Sequence, residues 1–341
     1  MKKTLHLLFI CSSIFPLSAS AQNIIDVQLA TTPIAVNPAF TGMFSGSVRA
    51  VGTYGNDWAT VTVPYVSTGA SVDMPVFTDG KGNYLAAGIL LHTDKAGDGN
   101  ISDFNADLSL AYHRQFNRRY DLAVGIQGGY NQGSVNLLPL FFGTQLNYGH
   151  FLPGVSHQYQ LGIGNSINYY SVNTGISLSH GIGKFSYTLG AAVNNINDPN
   201  QSIQEKANGT GLLDLNYTVE AIANWAVTKR LTFSPEIFYQ AQSINNYFIA
   251  GNEFRYNVSR NVTRTNPTSV FVSGCYQSND IVAVGAGVEF KRFRLGLSYN
   301  YNIGALNNAS NGQGGCSVSL RYIAPGRKQG SQNRTTAKSS F

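Results

Sequence analysis

The sequence has little charge, and after its first residues it has no long apolar run. Only 12% of the residues are Asp, Glu, Lys or Arg, about half of the 25% that is usual in soluble domains. Downstream of Ala21 no uninterrupted apolar stretch reaches the ~20 residues that a membrane-spanning helix needs. These two shortages argue against an ordinary soluble domain and against a helical membrane protein.

Cysteine is scarce as well. The chain has 3 cysteines, and Cys275 and Cys316 lie in strand-like runs without the spacing of a metal site. A disulfide between them would require an oxidising compartment, and the sequence cannot establish it. We favour two free, small apolar side chains. No metal and no cofactor is predicted.

The net charge of +6 comes from the ends of the chain. Without Lys2 and Lys3 the chain has 21 basic and 17 acidic residues, and the body from 22 to 322 has 17 of each. The remaining basic residues lie in the tail, 323–341, which lacks periodicity and is predicted to be disordered. Because the body contains no basic stripe with interleaved aromatic residues, we predict no nucleic-acid partner.

The first residues, 1–21, are typical of a secretory signal peptide. Lys2 and Lys3 precede a mainly apolar core from Leu5 to Pro16, and an Ala-x-Ala triplet ends at Ala21. The apolar core is too short to span a bilayer, so we predict cleavage after Ala21 and export of the rest.

What the sequence does contain is strict alternation, clearest from Ile281 to Tyr322. One set of side chains there is large and apolar, namely Phe293, Leu295, Leu297, Tyr299 and Tyr301. The residues between them are small, polar or charged, namely Arg294, Gly296, Ser298, Asn300 and Asn302. A period of two indicates strands with one apolar and one polar face. Only Lys291 and Arg292 separate this run from the preceding one, which predicts a tight hairpin.

Fourteen such runs follow one another along the chain, each of about 8–11 residues, which is the length that a tilted strand needs to cross a bilayer. We therefore predict an all-β fold: a transmembrane antiparallel β-barrel of outer-membrane type with about 14 strands. It would occupy 45–322, after an extended lead-in at 22–44. A soluble β-sandwich also alternates, but the scarce charge and the number of strands favour the barrel. Between about 131 and 172 the alternation fades, which predicts a large loop.

A cylinder of this size encloses a lumen unless something fills it. Our hypothesis is that either the lead-in 22–44 or the long loop fills the lumen. Inward positions such as Arg294, Glu220 and Glu289 are predicted to line the lumen.

Two stretches resemble chemical sites but lack the residues that those sites need. The oxygen-rich stretch from Asp94 to Asp103 lacks the ligands of a calcium loop, since Ala96 and Asn105 occupy its third and twelfth positions. We predict a solvated hairpin loop there, or a surface that a partner contacts. Ser179 and His180 are adjacent and therefore lie on opposite faces of a strand, and no Gly-x-Ser-x-Gly motif is present. No enzymatic activity is predicted, and His92 and His113 are interpreted as polar residues near strand ends.

Seven short segments, taken in their order and spacing, are similar to the PorP/SprF family of type IX secretion and gliding proteins of Bacteroidetes. They are Ala35–Gly42, Asn56–Trp58, Asp94–Gly99, Gly129–Gln132, Asp198–Ser202, Arg294–Tyr299 and Ala309–Gly312. The candidate family-motif or partner-contact residues within them are Asn37, Pro38, Gly42, Asn56, Trp58, Asp94, Lys95, Gly97, Asp98, Gly99, Asp198, Pro199, Asn200, Ser310, Asn311 and Gly312.

The resemblance implies a non-enzymatic barrel in the cell outer membrane. Its expected partners are outer-membrane lipid, periplasmic and outer-membrane components of the type IX system, and secreted clients or surface adhesins with C-terminal sorting domains. Loops such as 94–103 and 195–210 would contact clients. Asn37 and Pro38 would either form the entry to the barrel or make a lumenal or periplasmic contact, and Trp58 would anchor the membrane interface. The alternative is a diffusion channel for small or apolar solutes, which would need a continuous lumen.

Overall fold

The computed structural model describes residues 31–59, 63–97, 99–116, 119–136, 146–147, 150–151, 166–202, 211–243, 245–259, 268–278, 281–304, 307 and 312–326. The predicted signal peptide and the tail beyond Gly326 lie outside these ranges, and both stay predictions. Within the described part of the chain, no helix is both long and apolar enough to cross a membrane.

Most of the described chain is β-strand. The strands are β1 (Arg49–Asp57), β2 (Tyr65–Thr78), β3 (Tyr84–Ala96), β4 (Ile101–Phe116), β5 (Tyr120–Ser134), β6 (Leu146–Asn147), β7 (His150–Phe151), β8 (Ser166–Ile182), β9 (Phe185–Asn194), β10 (Asn216–Ala226), β11 (Leu231–Gln242), β12 (Asn245–Asn257), β13 (Ser269–Gln277), β14 (Ile281–Phe290), β15 (Phe293–Asn302) and β16 (Gln313–Ile323). Before β1 lie a one-turn helix, α1 (Pro33–Val36), and a 3₁₀ helix (Pro38–Phe40).

All strands except the short pair β6–β7 belong to one closed antiparallel barrel of 14 strands. Neighbours in sequence are neighbours in the wall, and the barrel closes where β1 pairs with β16, from Arg49↔Ile323 to Asp57↔Gly315. Closure satisfies the backbone groups that would otherwise face hydrocarbon unpaired. The predicted fourteen-stranded barrel is therefore confirmed.

The two faces of the wall differ as the alternation predicts. On β15, Leu297 is 55% exposed on the outside, whereas Ser298 and Asn300 are 7% and 3% exposed and point inward. Cys275 faces the lumen and is buried, while Cys316 is exposed on the outer face, and neither forms a disulfide. The two cysteines thus lie on opposite faces of the wall.

The boundaries of the predicted 131–172 loop were wrong at both ends. β5 continues to Ser134 and β8 already begins at Ser166, and the two strands pair along that whole length. The alternation is hard to see in this part of β5 because its inward positions are Gly129, Asn131 and Gly133, interleaved with further polar or glycine residues. β8 extends beyond its other neighbour, β9, because the pairing of the two strands ends at Thr174↔Val193.

The two rims of the barrel differ in their connections. One rim, which we call the short-turn rim, holds the turns 79–83, 117–119, 183–184, 227–230 and 291–292 and the connection 258–268. Both ends of the barrel chain also lie there, since Ala324 N–H donates to Val48 O at 2.8 Å. The opposite, long-loop rim holds the connections 135–165, 195–215 and 303–312. In outer-membrane barrels the short turns are periplasmic and the long loops extracellular.

Candidate functional site

Residues 31–43, which precede β1, lie inside the barrel. We call Thr31–Met43 the lumenal segment; among its residues Ile34, Ala39 and Phe40 are at most 1% exposed, and Asn37 and Thr41 are 0% exposed. Its 3₁₀ helix packs against β4, β5 and β8. The segment therefore occupies the lumen, as one of the two sequence hypotheses expected. It contains the whole of Ala35–Gly42, one of the seven segments that carry the family resemblance.

The local structure of the segment follows from its two prolines. Pro33 begins α1, where the missing N–H is no loss, and Pro38 begins the 3₁₀ helix. A residue that precedes proline is driven to extended geometry, and Asn37 has φ −149° and ψ 122°. Its side-chain oxygen then caps the 3₁₀ helix by accepting from Ala39 N–H at 2.9 Å.

Asn37 also ties the segment to three strands of the wall. Its amide nitrogen donates to Ile176 O at 3.2 Å, to Ala191 O at 3.3 Å and to Glu220 Oε1 at 2.5 Å. The contact strands are β8, β9 and β10. The buried Glu220, predicted to line the lumen, thus binds the lumenal segment. An asparagine can make these contacts because its amide carries two donors and one acceptor oxygen.

Glycines in the wall create the room for these contacts. A Cβ at Gly175 or Gly190 would collide with the Asn37 side chain or with the Glu220 carboxylate that binds it. A Cβ at Gly125 would collide with the backbone of the segment at Pro38. Wall glycines of this kind commonly mark a close backbone approach. The inner surface is therefore shaped to receive the segment.

A buried ion pair holds the C-terminal end of the lumenal segment. Arg49 and Asp73, 1% and 0% exposed, form two hydrogen bonds of 2.9 and 2.7 Å. Gly42 N–H donates to Asp73 Oδ2 at 2.7 Å, and Arg49 Nη2 donates to Phe40 O at 3.1 Å. Gly42 has φ 76°, a conformation that glycine adopts without strain. The motif's glycine thus turns the chain toward β1.

His113 is a further anchor that the sequence interpretation missed. Its side chain is 0% exposed, and its Nε2 lies 2.8 Å from Thr41 O while its Nδ1 lies 3.2 Å from the Asp121 carboxylate. Its ring stacks on Tyr84 at a centroid distance of 4.2 Å. The parity of β4 places His113 on the inner face, which was readable, but its partner Thr41 is 72 residues away.

Apolar contacts complete the seat of the segment. Val36 packs against an inward cluster that contains Phe238 and Cys275. Phe40 and Met43 form a second cluster, with Ile222 packed against them. The cavity left between the segment and β10–β11 is only about 20 Å³, close to the size of one water molecule.

A charge network lines the lumen near the short-turn rim. Glu253 is hydrogen-bonded to both Arg255, at 2.7 Å, and Arg294. Glu289 pairs with Arg321 at 3.3 Å and with Arg255 at 3.7 Å. The inward placement predicted for Arg294 and Glu289 agrees with this arrangement. Buried charges of this type need partners of opposite sign, and the network supplies them within the wall.

The motif residues near the β3–β4 turn are spread over strand and turn. Asp94 and Lys95 belong to β3, so the predicted turn is shorter than expected. Asp94 faces inward and bonds to Ser67 Oγ at 2.6 Å and to His92 at 3.0 Å, whereas Lys95 is exposed on the outer face. Gly97 adopts φ 66° in the turn. Gly99 accepts at its carbonyl from Asn136 N–H at 2.7 Å, and Asp98 lies outside the described residues.

The remaining motif residues lie at the same long-loop rim. Asn56 is in β1, and Trp58 follows with φ 57° and an edge contact to Tyr65 at 6.2 Å. Asp198 is exposed with φ 44°, and Pro199 O accepts from Leu213 N–H at 2.8 Å. Asn200 and Leu212 form a β-bridge, and Gly312 has φ 75°. Ser310 and Asn311 lie outside the described residues.

The arrangement brings Asn37, Pro38 and Gly42 together in the lumen, and the other candidates that the structure describes lie around one rim. Ser179 faces inward and His180 stacks on Tyr120 at 3.9 Å on the outer side. No group of three or more His, Cys, Asp or Glu side chains suited to a metal occurs among the residues described.

The fold defines a transmembrane β-barrel of outer-membrane type with a segment of its own chain in the lumen. A family model described as "Type IX secretion system membrane protein PorP/SprF" matches residues 19–322. The chain belongs to this family, which confirms the resemblance drawn from its sequence segments.

Solved structures with a similar fold are distant in sequence. The toluene transporter TbuX of Ralstonia pickettii is 9% identical, with 86% of this chain and 92% of that chain covered at a TM-score of 0.51. The CymD monoaromatic hydrocarbon channel is also 9% identical, with 86% and 93% covered at a TM-score of 0.48. At such identities the likeness concerns the fold alone. No curated protein is significantly similar to the chain in sequence.

Proposed function

We propose that this chain is a non-enzymatic component of the type IX secretion and gliding machinery that binds partners and supports export or surface anchoring of client proteins. Membership of the PorP/SprF family supports the link to type IX secretion. The proposal that it works as a scaffold depends mainly on one observation: the lumenal segment occupies the barrel and is bonded to its wall.

A diffusion channel would need a continuous lumen, and the lumenal segment lies within that lumen. The segment is held by hydrogen bonds to charged side chains, each of which typically contributes ~1.5–3 kcal/mol. The buried Arg49–Asp73 pair adds a contact whose disruption would typically cost ~3–5 kcal/mol. We therefore expect the resting barrel to conduct little.

The long-loop rim is the surface proposed for clients. One of its described turns is tied to the wall, since Asn197 caps the free edge of β8 by accepting from Val172 N–H at 2.9 Å and donating to Tyr170 O at 2.7 Å. A turn that is ordered in advance loses less conformational entropy when it binds. Asp198, Asn200 and Lys95 are exposed there, and they are the residues at which we would place photo-crosslinkers.

Three measurements test the proposal together. Deletion of the gene should abolish secretion or surface display of proteins with type IX sorting domains, and affinity purification from native outer membranes should recover large partners. The purified barrel should show little conductance in planar bilayers. Normal secretion in the deletion strain, combined with steady conductance of the purified protein, would instead support the solute channel.

A further inference from the structure

The short-turn rim is basic. Its described turns carry Lys81, Arg119, Lys184, Arg230 and the pair Lys291–Arg292, while Asp79 is the only acid described in them. Two cations at this rim adjoin aromatic residues of the outer face. Lys291 Nζ lies 5.0 Å from the ring centre of Phe290, and the guanidinium of Arg114, near the end of β4, lies 4.8 Å from that of Phe116. Cations and aromatic rings therefore share the level at which the wall meets lipid headgroups.

The β14–β15 turn forms a cleft at this level. The cleft has a volume of about 580 Å³ and is lined by Lys291, Arg292, Phe293 and Tyr322. The rings of Phe293 and Tyr322 are 4.8 Å apart and form its apolar side, and Phe293 is 50% exposed on the outer face. The site thus joins two cations to an aromatic surface that continues into the membrane.

The two cations are not neutralised by the nearest acid in the sequence. Glu289 points into the lumen, where it pairs with Arg255 and Arg321. Lys291 and Arg292 are exposed on the outside. The backbone of the turn is held in place, because Lys291 adopts φ 55° and Arg292 O accepts from Ile323 N–H at 3.0 Å.

We propose that this cleft binds the phosphate of an anionic phospholipid in the periplasmic leaflet of the outer membrane. Lys291 and Arg292 would donate to the phosphate oxygens, and Phe293 and Tyr322 would pack against the glycerol and the upper acyl chain. The short turns place this rim at the periplasmic leaflet. A lipid fits better than an acidic protein because half of the lining is aromatic and lies on the lipid-facing side of the wall.

The test compares anionic and zwitterionic lipid on the purified full barrel. The protein is reconstituted in nanodiscs with equal phosphatidylglycerol and phosphatidylcholine, extracted in mild detergent, and its co-purifying lipids are counted by native mass spectrometry. The double variant Lys291→Gln, Arg292→Gln should bind phosphatidylglycerol roughly thirtyfold more weakly, from the usual contribution of each basic residue near an anionic surface. Lys81→Gln is the matched control, since its turn already contains Asp79, and it should retain the lipid.

Several results would decide against the proposal. Equal retention of both lipids by the native protein would remove the anionic selectivity, and unchanged retention in the double variant would remove the site. Displacement of the lipid by millimolar inorganic phosphate would indicate binding of a free ion. Selective retention of lipid A over phosphatidylglycerol would place this rim in the outer leaflet. Heat-modifiable migration on gels verifies that each variant is folded, so a loss of lipid can be assigned to the cleft.

Discussion

Replacing Asn37 by alanine should release the lumenal segment from the wall. The substitution removes the donor to Glu220 Oε1 and the two weaker bonds to the carbonyls of Ile176 and Ala191. It also leaves the Glu220 carboxylate buried at 3% exposure without its amide partner. A hydrogen bond to a charged group typically contributes ~2 kcal/mol, and the two long bonds together contribute about 1 kcal/mol. Docking of the segment should therefore weaken by ~3 kcal/mol, or roughly a hundredfold in its equilibrium constant.

A native thiol reports on this release. Cys275 faces the lumen in the cluster against which Val36 packs, so it should become accessible to a water-soluble maleimide when the segment leaves. Because labelling follows the population of the open state when opening is fast, the rate should rise roughly a hundredfold. Cys316 lies on the outer face and is removed beforehand as Cys316→Ser. Conductance in planar bilayers should rise in the same variant.

The control is Asn131→Ala. Asn131 is also a buried lumenal asparagine, but it bonds to Ser171 at 2.9 Å, from one strand of the wall to another. That variant should label like the native protein. If Asn37→Ala labels and conducts no faster than Asn131→Ala, the lumenal segment is not held by the asparagine contacts, and the reasoning fails.

Three further predictions follow from the same geometry. Gly125→Ala should displace the lumenal segment and raise conductance, because its Cβ would collide with the segment backbone. The control is Gly128→Ala on the same strand, whose Cβ meets nothing within 4 Å and which should behave like the native protein. Equal conductance of the two variants would contradict the close packing of the segment against the wall. Asp73→Asn should lower the unfolding temperature by breaking a buried ion pair, at a typical cost of ~3–5 kcal/mol, and the exposed Asp79→Asn is its control; equal melting curves would refute the role. A truncation after Gly326 should leave stability and secretion unchanged, because it keeps the backbone bonds of the barrel seam, and lost secretion would assign a function to the tail.

The sequence predicts the barrel because lipid and lumen impose opposite demands on adjacent residues. In β14–β16 the outward side chains are apolar, so the period of two is easy to recognise in the sequence. The alternation is harder to recognise where outward positions are polar or glycine. The ends of β5 and β8 at the long-loop rim were therefore wrongly predicted to be loop. Strand parity also assigned Arg294 and Glu289 correctly to the inner face, because parity depends only on local geometry.

The contacts of the lumenal segment could not be derived in this way. Asn37 and Glu220 are 183 residues apart, and nothing in local periodicity links a lead-in to a strand that far along the chain. His113 was interpreted as a polar residue near a strand end, although its inward parity was available. Its role becomes clear only when the carbonyl of Thr41 is placed beside it. Such pairings depend on the register of the complete wall.

The position of the lumenal segment also constrains the order of biogenesis. It immediately precedes β1, and β1 forms the final seam with β16. The lumenal segment must therefore be seated before β1 pairs with β16, or it must thread into a closed barrel afterwards. Arg49 belongs to the β1–β16 seam and also binds the lumenal segment. Binding of the segment is therefore coupled to closure of the barrel.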